Sequence, residues 1–162
     1  MPSNSKEYFY LMVEPTVKEF INSPNSLRRG LLAALILNHM IDHLAQENEP
    51  AADRITMNER VKAKRNEIIG ACHEFQFIWD VADSIKHAKL TAKKSREVSS
   101  SSQLTGSAGL FQAPFGEGVF SDAVEIFAVV DNGLEKPLLP AVIAVFENLR
   151  SIIVGQVVSQ PN

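Results

Sequence analysis

The chain predicts an α+β fold that is mainly α: a four- or five-helix bundle with a small antiparallel β-hairpin or sheet inserted before the last helix. Three observations predict it. Apolar residues recur at spacings of three and four through most of the first 90 positions, the period of helices with a buried face. The segment "DAVEIFAVV" (122–130) is instead β-branched and aromatic, and "DNG" (131–133) after it is a hairpin turn signal. A further apolar run with Pro140 near its start then predicts a closing helix. At 162 residues and 45% hydrophobic, residues 1–162 form one domain that can bury a core without staples.

The first helix is predicted over 6–22, where Tyr10, Val13, Val17, Phe20 and Ile21 repeat on one face and Pro15 marks a kink or break. "NSPNS" (22–26) is turn chemistry with Asn25 or Ser26 as cap, and the second helix follows over 27–46. One side of it is apolar throughout. The other carries Leu31, Leu32 and Leu35 and then turns polar at Asn38, His39, Asp42 and His43. A third helix, 53–72 with Asp53 as cap, has only a thin stripe of Ile55, Val61, Ile68, Ile69 and Cys72. The fourth, 74–90, lines up Phe75, Ile78, Trp79, Ala82, Ile85 and Lys89, with Asp80, Asp83 and His87 on its flank. The Ser-, Gly- and Lys-rich stretch 91–118 reads as a mobile loop with a short strand around Val98. The hairpin spans about 122–138, with "LEKPLLP" as an edge strand that tolerates Pro137. The last helix covers about 140–154.

Composition narrows the classes of function. A net charge of −3 gives no global attraction to nucleic acid or anionic membrane. The single cysteine, Cys72, rules out an intrachain disulfide and suits a reducing compartment. The longest apolar run, Leu31 to Leu37, falls far short of the ~20 residues that span a bilayer. "MPSNSKEYFY" lacks the basic-then-apolar order of a secretory signal. A cytoplasmic protein without a membrane partner is the expectation. "GSAG" and "GEG" lack the strand-then-helix context of a phosphate loop, and no serine stands in an elbow motif.

Chemistry-bearing residues concentrate in two stretches. In "LNHMIDHLA" (37–45), His39 and His43 are one turn apart on one face, the spacing by which a helix offers two imidazoles to one metal ion. Asp83 and His87 repeat that spacing in "DVADSIKHAKL" (80–90), one turn after Asp80. If the second and fourth helices pack together, His39, His43, Asp83 and His87 become candidate ligands for zinc, manganese or iron. The structural alternative is a polar network of Asn38, His39, Asp42, His43, Asp80, Asp83 and His87 that fixes helix register. Lys86 sits on the apolar side near Trp79, beside His87. It either snorkels along the indole or is held by Asp42 or Asp83.

"DVADSIKHAKL" resembles the (Asn/Asp)-x-x-Lys-His segment of many small bacterial helical-bundle proteins, with "NHMIDHLA" similar to the stretch that accompanies it upstream. No activity travels with that resemblance. The chain also resembles, more distantly, HEPN domains, helical bundles that include metal-independent ribonucleases and carry an Arg, a polar residue and then a His on one helix. Here Arg65-Asn66 followed by His73 takes that place, with seven residues between Arg65 and His73 where the family has four to six. The resemblance implies His73 or His87 as general base on a ribose hydroxyl, with Arg65 or a lysine at the phosphate. His87, Lys86, Asp83, Arg65 and His73 are thus the candidate catalytic residues. Arg60, Lys62, Lys64, Arg65, Lys93 and Lys94 would form an RNA-facing patch if they meet. A homodimer is expected through the sheet edge or through Tyr8, Phe9, Leu11 and Met12. Three readings stay open: a binding or accessory protein with an internal polar site, a HEPN-like ribonuclease or degenerate relative, and a metal-binding bundle.

Overall fold

The computed structural model describes residues 2, 4–87, 90, 96–106 and 126–158. The expected α+β architecture, mainly α, is present: helices build the core and a three-stranded antiparallel sheet precedes the last of them. Residues 91–95, all of 107–118, and 122–125 at the start of the expected hairpin lie outside the described residues, as do Lys89, Lys93 and Lys94.

The N-terminal helix has three parts: α1 (Ser5–Tyr8), a π-helical turn (Phe9–Val13) and α2 (Glu14–Ile21). Asn4 caps it, its Oδ1 accepting the Glu7 amide at 2.8 Å. Pro15 has no N–H to give and its ring crowds the preceding turn. The helix responds by widening just upstream, where the Glu14 amide reaches Phe9 O. The wider turn shifts the inward face by one position. Phe9, Val13, Val17 and Phe20 are fully buried, while Tyr10 and Ile21, expected on that face, are 42% and 38% exposed. The same shift divides the expected dimer face: Tyr8 and Phe9 belong to the core, and Leu11 and Met12 point outward.

Helix α3 (Leu27–Gln46) has the predicted bounds and is capped by Ser26, whose Oγ accepts the Arg29 amide at 3.4 Å. Its Gly30 stands where α2 and α6 come close: a Cβ there would stand 2.9 Å from Leu138 Cδ2 and 3.0 Å from the Phe20 ring. Helix α4 (Arg54–Ala71) starts after Asp53, which accepts the Thr56 amide at 2.9 Å. Only Ile68 of α4 is fully buried, and Ile55 is 72% exposed. Helix α5 (Glu74–His87) buries Phe75, Phe77, Ile78, Val81 and Ala82 against α3 and α6. Trp79 and Ile85 are half-buried.

Strands β1 (Leu104–Gly106), β2 (Ile126–Val129) and β3 (Glu135–Pro137) pair in that order, with Leu104 opposite Ala128 and Phe127 opposite Pro137. Ile126 and Ala128 point into the core, as alternation requires. The hairpin turn closes through Gly133, at φ +83°, whose amide donates to Val130 O at 2.7 Å. Pro137 lies on the edge strand, where a missing donor breaks no inner ladder. The strand expected around Val98 forms six residues later, at β1. Val98 itself is a buried apolar peg in an irregular segment.

Helix α6 (Leu138–Val158) starts before Pro140 and continues past 154. Its 18-residue stretch Leu138–Gly155 is long and apolar enough to cross a membrane by length and composition, and 39% of it is buried. The expectation that no segment has this character is corrected. Pro140, Glu147, Asn148 and Arg150 interrupt the run without making the helix polar on average. Leu138, Val142, Val145, Phe146, Leu149 and Ile153 fill the core, with Phe146 stacked on Phe9 at 5.5 Å between centroids.

Candidate functional site

The polar end of α3 meets three other elements. The His43 ring lies on the Tyr8 ring, centroids 3.7 Å apart and planes 20° from parallel. Arg65 of α4 approaches Asp42 Oδ1 to 3.8 Å and stacks its guanidinium over Trp79 of α5 at 4.8 Å. Arg65 is thus the link between α3 and α5 that the expected site lacked. Asn38, one turn before Asp42, is fully buried, and neither its Oδ1 nor its Nδ2 has a hydrogen-bond partner among the described residues. His39 is exposed.

In front of Asp42 and His43 opens a cleft of about 450 Å³ lined by Asn4, Ser5, Asp42, His43, Gln46, Glu47 and Asn48. The backbone makes it by leaving the helix sharply. Glu47 turns extended, and Asn48 takes the left-handed conformation at φ 60° that asparagine tolerates better than most residues. Ser5, 1% exposed, donates its hydroxyl to Glu47 Oε2 and ties α1 to the chain leaving α3. Arg60 braces the far side of that turn, donating to Pro50 O at 2.9 Å and Gln46 Oε1 at 3.3 Å and pairing with Glu49 at 3.2 Å. Gln46 Nε2 donates to Met57 O at 3.2 Å. The lining therefore rests on helices and braced turns.

Charge in the cleft is acidic. Asp42 and Glu47 contribute carboxylates, and among the described residues no Lys or Arg lines it. Burial pulls the His43 pKa below its ordinary value; His39 adds to that, and Asp42 and Glu47 oppose it. Burial, and then the charge of Asp42, push the Tyr8 phenol above its usual range.

The acidic flank of α5 belongs to a different structure. Asp80, 1% exposed, accepts the Glu97 amide at 2.7 Å and Gln76 Nε2 at 3.1 Å. Arg96 stands 3.5 Å from Asp80 and 3.7 Å from Asp83. Burial raises the Asp80 pKa against the lowering effect of those partners. Lys136 of β3 joins Glu74 at 3.1 Å and Glu97 at 2.9 Å, with its ammonium over the Phe77 ring. These contacts fasten residues 96–97 and the hairpin to α5.

The expected single site thus resolves into two. Asp42 and His43 line the α3 cleft, Asn38 is buried behind them and His39 is exposed, whereas Asp80 and Asp83 are occupied by Arg96. Lys86 and His87 are exposed at the end of α5. Among the described residues no group of three or more His, Cys, Asp or Glu is placed to hold a metal ion. His39, His43, Asp83 and His87 therefore do not form the expected ligand set. Arg65 and His73 do not share a helix: α4 ends at Ala71, His73 is exposed in the turn before α5, and Arg65 is engaged by Asp42 and Trp79. Of the basic residues on α4, Arg60, Lys64 and Arg65 each have a carboxylate partner, Glu49, Glu67 and Asp42, and Lys62 is exposed.

Sequence reasoning missed Asn4, Ser5, Gln46, Glu47 and Asn48 as lining residues. The only signal for them was the end of the α3 pattern at "ENEP" and the capping chemistry of "SNS". The pairing of Arg96 with Asp80 and Asp83, and of Lys136 with Glu74 and Glu97, was also missed, since a charge outside a periodic segment carries no signal of its partner. Neither a protein family, a curated protein nor a solved structure matches the chain.

Proposed function

We propose that the protein is a small-molecule-binding or accessory protein and that the cleft at the end of α3 is its binding site. The observation that carries this reading is the cleft itself, about 450 Å³ and lined entirely by polar side chains from α1, α3 and the turn after it. That volume is in the range of small-molecule sites. Polar groups that converge on a concavity from rigid elements supply the fixed hydrogen-bonding geometry that selects a ligand. The Ser5 hydroxyl is held by Glu47 and the His43 ring is stacked on Tyr8, so both side chains keep a fixed place at the cleft.

The reading is tested by titrating ¹⁵N-labelled protein with putrescine, agmatine, glycerol, glutarate and inorganic phosphate while recording amide spectra. Saturable shifts confined to residues 4–5 and 42–48 with at least one probe are expected. A panel that moves no amide there overturns it.

A further inference from the structure

We propose that the seam between α3, α4 and α5 is a binding site for an internal water molecule shared by Asn38, Arg65 and Trp79. The inference is independent of the cleft and of what the cleft takes. Asn38 is fully buried, and among the described residues neither its Oδ1 nor its Nδ2 has a hydrogen-bond partner. Arg65 Nε and Trp79 Nε1 are buried nitrogens in the same condition. Each of the three side chains comes from a different helix of the seam. Asn38 lies one turn before Asp42 on one face of α3, which sets their Cβ atoms about 5–6 Å apart. Arg65 approaches Asp42 Oδ1 to 3.8 Å and lies over the Trp79 ring at 4.8 Å. Its side chain thus spans from the α3 face that carries Asn38 to the indole. Ile68, one turn after Arg65, and Ile78, next to Trp79, belong to the apolar core.

Buried polar groups without partners cost stability, and the identity of the unpaired atoms defines what could satisfy them. Arg65 Nε–H, Trp79 Nε1–H and Asn38 Nδ2–H are donors, whereas Asn38 Oδ1 is an acceptor. The guest must accept and donate at once. An anion could accept from the N–H groups but has nothing to give Oδ1, and the Asp42 carboxylate beside Arg65 opposes it. A metal ion would find one oxygen in Asn38 and N–H groups that repel it. Water does both, and internal waters typically make about three hydrogen bonds to such groups. Held there, it ties three helices together and steadies Arg65 where it meets Asp42.

The sole tryptophan of the chain gives a single indole N–H signal that reads the site directly. Water-selective NOE and ROE spectra of the ¹⁵N-labelled full chain should show transfer from water to Trp79 Nε1–H with opposite signs, the signature of a held water and not of proton exchange. Asn38→Leu removes both amide atoms at similar volume. It should abolish the transfer, move the indole signal and lower the melting temperature by several degrees, because two N–H groups lose their partner. Absence of transfer in the wild type overturns the proposal, and so does transfer that persists in Asn38→Leu. A variant that melts higher with its indole signal unmoved also overturns it, since that is how an orphaned amide behaves on replacement by an apolar group. An indole signal that shifts saturably with chloride at constant ionic strength overturns it in favour of an anion. If Asn38→Leu does not fold, the wild-type spectra decide alone.

Discussion

From Leu27 to Leu37, α3 turns its small and apolar residues inward; Gly30, Ala33 and Ala34 let α2 and α6 come close and Leu37 fills the space between. From Asn38 to Gln46 the same helix still buries Met40, Ile41 and Leu44, but its other side carries Asp42, His43 and Gln46, which border the cleft. One continuous helix thus serves as core on one half and as rigid support on the other. The difference lies in the neighbours. The first half is covered by apolar helices. The second half is met by α1, by the polar helix α4 and by the turn at Asn48, none of which can seal it.

The strongest way to break this comparison is to damage the first half and watch the second. Leu37→Ala removes a fully buried side chain and should lower stability by about 2–5 kcal/mol, seen as a lower denaturation midpoint. Amide shifts of residues 42–48 should stay near wild type in the folded protein. If they scatter, the two halves are not separable.

Gly30→Ala tests close packing in the same half. The new methyl would sit at 2.9 Å from a Leu138 methyl and 3.0 Å from the Phe20 ring. Gly to Ala within a helix ordinarily gains up to about 1 kcal/mol, so a neutral or stabilising result would mean that both neighbours yield freely. A loss of about 1–3 kcal/mol is expected, because the contacts come from two different helices that would have to move apart.

What was legible in the sequence follows the same division. Helix α3 could be read to its bounds because its periodicity and the Ser26 cap are local properties. The helix bundle and the hairpin turn at Gly133 were legible for the same reason. The inward face of the N-terminal helix was misread because a π turn breaks the 3.6-residue period, and Pro15 announces a disturbance without saying which kind. The cleft was half legible. Asn38, His39, Asp42 and His43 stood out as polar residues in an apolar helix, but Tyr8 reaches His43, and Arg65 reaches Asp42, only through tertiary packing. Asp80 and Asp83 share the helical spacing that suggested a joint site, yet spacing fixes only which side of α5 they occupy. Arg96, from a segment without periodicity, decided what they face.

Arg65 joins the cleft to the rest of the bundle, and its removal should have an intermediate effect. Arg65→Ala frees Asp42 and uncovers one face of Trp79, the sole tryptophan of the chain. A loss of about 1 kcal/mol is expected from the cation–π contact and the packing of the stem, with a red shift of tryptophan emission as the indole meets water. An unchanged emission maximum would show that Arg65 does not cover the ring in solution. Arg65→Lys keeps the charge but not the planar stack, and should restore stability only in part.

The smallest expected effect is the pH dependence carried by His43. Its folded-state pKa lies below the ordinary 6.5 because burial disfavours the imidazolium, with His39 adding to this and Asp42 and Glu47 opposing it. In the window between the two values the unfolded chain takes up a proton that the folded protein refuses. The contribution is therefore fully present above pH 6.5 and is lost as pH falls through the folded pKa. Solvent screening at this half-exposed position keeps it modest, on the order of a degree in melting temperature. Comparing wild type with His43→Gln between pH 7.5 and 5.5 isolates it, since Gln has no proton to gain while other titrating groups remain. The wild type should lose more than the variant. Parallel curves would mean that the Tyr8–His43 stack admits the imidazolium as readily as water does, and that the second half of α3 is wetter than its burial indicates.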